Sequence, residues 1–356
     1  MISLAEKLAP ENIKKLIPYQ SARRIGGNGR LWLNANELEQ PIPFGNDQAD
    51  YTRYPDFLPF DIANAYQKYC GTAQPTMAVR GADEAIDLLI RTFCQPGRDK
   101  IAICSPTYAM YEFCAESLSI SVIDVPLLAP DFCVNIDGVV EAAKEANLVF
   151  LCSPNNPTGQ ALSRRKISTI LDNTLNDAIV VVDEAYIEFE IGESVVDLID
   201  HYPNLVVIRT LSKAFGLAAV RCGFILTSEE IMSFIVKLIP PYPMPDSSSK
   251  IVLDALSPDG ISRVKQATKS LIKTREAFAA RLAHLEWIER IYPSATNFVL
   301  IRTKAEVALF DYLKQQGVVT RNQGHEPSLK HCVRITIGSE PTMNEVADII
   351  CNYPYN

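Results

Sequence analysis

In this sequence the side chains best suited to chemistry come directly after short apolar runs. Residues 148–151 lead into Cys152-Ser153-Pro154-Asn155-Asn156-Pro157-Thr158-Gly159, residues 179–182 into Asp183-Glu184-Ala185-Tyr186, and residues 205–208 into Arg209-Thr210-Leu211-Ser212-Lys213. Open parallel sheets bind ligands beyond the carboxyl ends of their strands. If the three runs are neighbouring strands, an amide, a carboxylate and a lysine converge on one rim. A lysine amine there can form an imine with an aldehyde, a carboxylate can keep a ring nitrogen protonated so that the ring accepts electrons, and hydroxyl or guanidinium groups can hold a phosphate. Lys213, Asp183 and the pair Ser212 and Arg221 fit those roles in type. A cofactor that makes all of these demands is pyridoxal 5'-phosphate.

The elements that must position these groups are legible as a pattern. Apolar, β-branched runs of this length without alternation suit strands covered on both faces. Between them lie helical spacings: Ala85, Ile86, Leu88, Leu89 and Phe93 after Gly81, stopped by Pro96-Gly97, and Ile167, Ile170 and Leu171 after Ser163. Strand and helix in alternation predict an α/β fold with a mostly parallel sheet. After Ser257 a long charged helical pattern runs to Leu282, followed by strand-like strings at 297–301 and 332–337 and closing helices. We therefore expect an N-terminal arm (1–30), a large domain (31–257) and a smaller α+β domain (258–356). Arg334 lies between Val333 and Ile335 on the last of these strands, so it points away from the face they bury and could clamp an oxyanion.

Composition narrows the classes. The chain has 356 residues, 47% hydrophobic, with 34 Lys+Arg against 42 Asp+Glu and a net charge of -8. It is long enough for a full core, and the acidic balance argues against coating nucleic acid or an anionic membrane. The charged start MISLAEKLAPENIKKL is no signal peptide, and no uninterrupted apolar stretch reaches the ~20 residues that span a bilayer. A cytoplasmic protein is the expectation. Nine cysteines form no CxxC pair and His201, His284, His325 and His331 form no metal-spaced pair, so neither a disulfide framework nor a metal site is spelled out. Asp183-Glu184 after an apolar run imitates a Walker B strand, but no GxxxxGK[ST] loop accompanies it; Gly26-Gly27-Asn28-Gly29 has no dinucleotide spacing, and no Gly-x-Ser-x-Gly elbow occurs.

Taken singly, the signals have bland readings. A lysine after a strand is usually a solvated surface residue, and Asn155-Asn156 between prolines suits a turn. Their joint order is more specific. SPNNPTG at 153–159, DEAY at 183–186 and TLSKAFGLAAVRCGF at 210–224 resemble the fold-type I, aspartate-aminotransferase-like pyridoxal phosphate enzymes. Within them, PYQSARRIGGNG at 18–29, LNANE at 33–37, TRYPD at 52–56, RGADEAIDLLIR at 80–91 and VRITIG at 333–338 resemble the histidinol-phosphate aminotransferase family. The resemblance covers nearly the whole chain.

It implies a homodimer that exchanges an amino group between histidinol phosphate and 2-oxoglutarate, with glutamate as the second product. Lys213 would carry the cofactor and shuttle the proton, Asp183 would pair with the ring nitrogen, Asn156 and Tyr186 would bond the phenolic oxygen, and Tyr108 would stack on the ring. Ser212, Arg221, the backbone amides around Ala82 and Asp83, and Tyr54 from a second subunit would hold the cofactor phosphate. Arg334, with Arg321 and Tyr19 beside it, would bind the substrate anion. The acidic side chains Asp83 and Glu84 would repel a phosphate, so amides alone are expected to face it. The string Met244-Pro245-Asp246-Ser247-Ser248-Ser249 is more polar than this family leads one to expect. A threonine-phosphate decarboxylase or an aromatic amino-acid aminotransferase of the same fold is the nearest rival; a transcription regulator needs a DNA-binding domain for which the early motifs leave no room.

Overall fold

The unalternated apolar runs become strands because helices cover both of their faces. The computed structural model describes residues 2–18 and 52–355; Tyr19 and the strings at 19–29 and 33–37 lie outside them. The main sheet comprises β1 (Thr76–Val79), β2 (Lys100–Ile103), β3 (Ser121–Asp124), β4 (Leu148–Cys152), β5 (Ile179–Asp183), β6 (Leu205–Thr210) and β7 (Gly223–Thr227), in the order β1-β7-β6-β5-β4-β2-β3. β2 to β6 pair in parallel, and β7 runs antiparallel between β6 and β1. On β5, Val180 and Val182 pack into one core while Ile179 and Val181 pack into the other. That division explains why the strand shows no polar alternation. β3 is an edge strand with no buried residue, and it leaves correspondingly little apolar signal.

The helices follow the predicted spacings. Ala82–Phe93 buries Ala85, Ile86, Leu88, Leu89 and Phe93, and Arg164–Thr174 buries Ile167, Ile170 and Leu171. Pro258–Leu282 is one helix of 25 residues, started by the Ser257 hydroxyl accepting from Gly260 N and by proline in its first turn. It packs on the helix Glu340–Cys351 and on the short turn of helix Ile187–Phe189. A second, antiparallel sheet orders β10 (Arg321–Asn322), β11 (Cys332–Thr336), β9 (Phe298–Thr303) and β8 (Ile288–Ile291). The fold is thus α/β with a mostly parallel sheet and a smaller antiparallel sheet. Phe298, at the start of β9, meets the Tyr186 ring edge-on at 5.5 Å, which joins the second sheet to the rim of the first. No helix among the described residues is long and apolar enough to cross a membrane.

Directly behind that rim lies a buried ion cluster. Arg209 on β6, 2% exposed, donates to Glu184 Oε2 at 2.6 Å and to Ser194 Oγ at 2.8 Å, with Glu188 at 3.8 Å. Glu184 also accepts from Val195 N at 2.7 Å. Burial pushes Glu188 up to about 7, so the guanidinium is balanced chiefly by Glu184. Removing one partner of such a pair strands the other charge. Arg209→Leu is expected to lower unfolding stability by about 3–5 kcal/mol in urea titration; a loss under about 1 kcal/mol contradicts this account.

Candidate active site

Five strand ends meet at one edge of the main sheet. β4, β5 and β6 end there, β1 ends there opposite Gly223, and β7 begins there, with Thr210 paired to Gly223 and Cys152 to Asp183. Ala82, Asp83, Tyr108, Asn156, Asp183, Tyr186, Ser212, Lys213 and Arg221 all line one open cavity of about 580 Å³ at this rim. The three strings singled out in sequence do converge. Cys152, Ala185, Thr210 and Ala218 line the same cavity.

The floor is electrostatically unusual. Asp183, 2% exposed, accepts from the Tyr111 hydroxyl at 2.7 Å and from Ala185 N at 3.0 Å. Burial nevertheless raises its carboxyl to about 6, because the two bonds only partly replace lost hydration. Lys213 opens into the cavity with Nζ 5.5 Å from the Tyr186 ring centroid. The surrounding walls, and then the Arg334 guanidinium, lower its pKa, which favours the neutral amine that a nucleophile or base must be. Tyr111 was not a sequence candidate. Its signal was the spacing Tyr108-Ala109-Met110-Tyr111, which sets two tyrosines on one side of a helix start; their rings meet edge-on at 5.7 Å, and Tyr111 stacks on Phe150 at 4.8 Å.

The opposite end is suited to an anion. Helix Ala82–Phe93 points its N-terminus at the cavity, where unpaired amides and the helix dipole favour negative charge. Gly81 sits at φ 86°, and a Cβ there would come within 2.7 Å of Arg221 Nη2; only glycine lets the guanidinium lie against this turn. Arg221 itself is left-handed (φ 56°, ψ 55°). Ser212 Oγ accepts from Thr210 Oγ1 at 3.0 Å. The Asp83 side chain departs from expectation: it faces the cavity, accepting from Tyr108 and Arg221.

Across the cavity mouth, Arg334 donates to Asn156 Oδ1 and lies 5.2 Å from the Phe298 ring centroid. Arg321 is its direct cross-strand partner, so two guanidinium-bearing residues share one face of the small sheet. Arg334, Arg321 and Tyr54 are not among the residues that line the cavity; Tyr54 is half exposed and stacks on Tyr242 at 4.5 Å. The polar string near 244 does local work: Met244 is buried and Ser248 donates to Val220 O at 3.2 Å.

Residues 32–350 match the family described as aminotransferase class I and II. The chain belongs to this family. Among curated aminotransferases it is 43% identical over 344 residues to the histidinol-phosphate aminotransferase of Shigella flexneri serotype 5b, covering 96% of each chain. It is equally identical to that of Aeromonas salmonicida over 351 residues, 98% of each. A solved histidinol-phosphate aminotransferase from Sinorhizobium meliloti, in complex with pyridoxal-5'-phosphate, superposes with a TM-score of 0.75 over 84% of this chain and 83% of that one at 23% identity. The fold of this aminotransferase is thus shared with that structure.

Proposed function

We propose that this chain transfers the amino group of L-histidinol phosphate to 2-oxoglutarate, reversibly, giving imidazole-acetol phosphate and L-glutamate in histidine biosynthesis. The observation that carries the chemistry is a buried carboxylate, Asp183, facing the same cavity as a lysine of lowered pKa. The 43% identity to histidinol-phosphate aminotransferases over almost the whole chain supports the substrate.

The cavity's donor set fits pyridoxal 5'-phosphate, the cofactor of this family. Among the described residues no cationic side chain is bonded to Asp183, which suits a protonated ring nitrogen; Arg221, Ser212 and the amides of Ala82 and Asp83 suit a phosphate. When bound, the cofactor supplies an aldehyde that exchanges amino groups and a ring that takes up electrons. Tyr108 would pack on the ring face, and Asn156 and Tyr186 would bond its phenolic oxygen. Lys213 Nζ would take the proton from the substrate α carbon as base and deliver it as acid to the cofactor carbonyl carbon, and the second half-reaction would run the same two transfers in reverse. Arg334, supported by Arg321 and Tyr19, binds either the phosphate of histidinol phosphate or a glutamate carboxylate. Tyr54 reaching into the cavity of a second copy makes the working unit a homodimer, and we place it in the cytoplasm. Residues 31–257 form the cofactor domain and 258–356 the smaller domain in this reading.

The test is the visible spectrum of the purified protein after loading with pyridoxal phosphate. Histidinol phosphate is expected to bleach the band at lower concentration than threonine phosphate or phenylalanine. A band that answers only to one of those two moves the function to the decarboxylase or the aromatic aminotransferase. Arg334→Ala is expected to raise KM for histidinol phosphate and for glutamate together, each by about ten- to a hundredfold, the worth of a charge-assisted bidentate contact. An increase for one substrate alone rules out a shared anion pocket.

A further inference from the structure

The carboxylate of Asp83 is committed to the cavity in a way that its position in the helix does not require. One oxygen accepts from the Tyr108 hydroxyl at 2.8 Å, and the other pairs with Arg221 Nη2 at 3.3 Å. The local structural task belongs to its neighbour: Glu84 accepts from Arg80 N at 2.6 Å and from the Arg80 guanidinium at 2.8 Å. Asp83 therefore ties together two side chains, one beside each end of the proposed cofactor, that are 113 positions apart in sequence (221 − 108).

We propose that the Asp83 side chain is a positioning residue for the cofactor, fixing the Tyr108 ring and aligning Arg221 while weakening the hold on the phosphate. This rests on the reading that the cavity takes pyridoxal phosphate. Burial, and then the bond to Asp83, raise the Tyr108 pKa, so the phenol stays a donor and its orientation is set by the carboxylate. Arg221 is already aimed at the helix N-terminus by the space over Gly81, and Asp83 holds it there. The electrostatics run the other way for the phosphate. A carboxylate at a half-exposed site beside a phosphate dianion repels it and shares its arginine; after solvent screening this weakens binding by roughly three- to tenfold. Ring alignment and phosphate affinity are thus opposed at one residue.

The opposition gives a signed test in Asp83→Asn and Asp83→Ala, with affinities for pyridoxal phosphate and for phosphate-free pyridoxal measured on protein stripped of cofactor and reloaded. In Asp83→Asn the amide oxygen still accepts from Tyr108, so pyridoxal binds as before and pyridoxal phosphate binds about fivefold more tightly. In Asp83→Ala the ring loses its anchor, and pyridoxal binding weakens by about threefold or more. An Asp83→Asn protein whose ratio of the two affinities is unchanged, including one in which both weaken in parallel, overturns the proposal and leaves Asp83 a structural residue. Failure of the unsubstituted protein to take up either compound counts instead against the cofactor reading itself.

Discussion

Lys213→Ala is expected to lower turnover by about 10⁴-fold or more while leaving the fold intact, because it removes both the attachment point and the proton carrier. The amine opens into the cavity and packs in no core, so the cofactor-free variant should melt within about a degree of the parent. Two readouts separate this from a general defect. The visible band of the loaded protein disappears, and treatment with a hydride reductant no longer leaves cofactor mass on the peptide that carries residue 213. A variant that keeps both the band and turnover removes Lys213 from the chemistry. The lowered pKa adds a pH signature: in the cofactor-free protein an amine below the usual lysine range is neutral in a larger fraction at pH 7–8 than an exposed one, so the rate of cofactor attachment should rise toward mild alkalinity as the remaining ammonium deprotonates.

Much of this site was legible because its residues sit where strand runs stop. Asp183 ends a buried strand, and Asn156 and Lys213 follow theirs by a few positions; parallel pairing of β4, β5 and β6 then brings them to one rim whatever the helices do. The helices were readable for a similar reason, since their apolar spacing matches the faces that the sheet must cover. What escaped depends on contacts between distant segments. Tyr111 reads as an ordinary helix residue until Asp183, 72 positions later, is packed against it. Arg209 has the composition of a surface residue; its burial is tolerable only because Glu184 and Glu188 lie against it. β10 has two residues, both exposed, and carries no periodicity, so the register that sets Arg321 opposite Arg334 had no local trace. The Asp83 carboxylate was expected to avoid a phosphate on charge alone. The bonds to Tyr108 and Arg221 nevertheless place the carboxylate in the cavity.

Asp183→Asn is expected to act in opposite directions on stability and turnover. In the cofactor-free protein the Asp183 carboxyl titrates near 6, against 3.8 in an unstrained setting. A raised carboxyl binds its proton more tightly folded than unfolded, so its contribution is fully present below about pH 4 and is lost as pH rises through 6. The ceiling is about 3 kcal/mol at pH 8 and about half of that at pH 5. An asparagine bears no charge to bury, so the cofactor-free variant should be the more stable protein at pH 8, by about 1–3 kcal/mol, with the margin shrinking toward pH 5. Turnover moves the other way: without a carboxylate the ring nitrogen loses the partner that keeps it protonated, and an expected rise of about 4 kcal/mol in the barrier is a loss of roughly a thousandfold. Loading links the two effects. A protonated ring nitrogen relieves the buried charge of Asp183, so cofactor should stabilise the parent more than the variant, and more at pH 8 than at pH 5. Urea titrations of both proteins, with and without cofactor, read the whole cycle. A variant no more stable than the parent at pH 8, or one that keeps a tenth of its turnover, takes Asp183 out of this role.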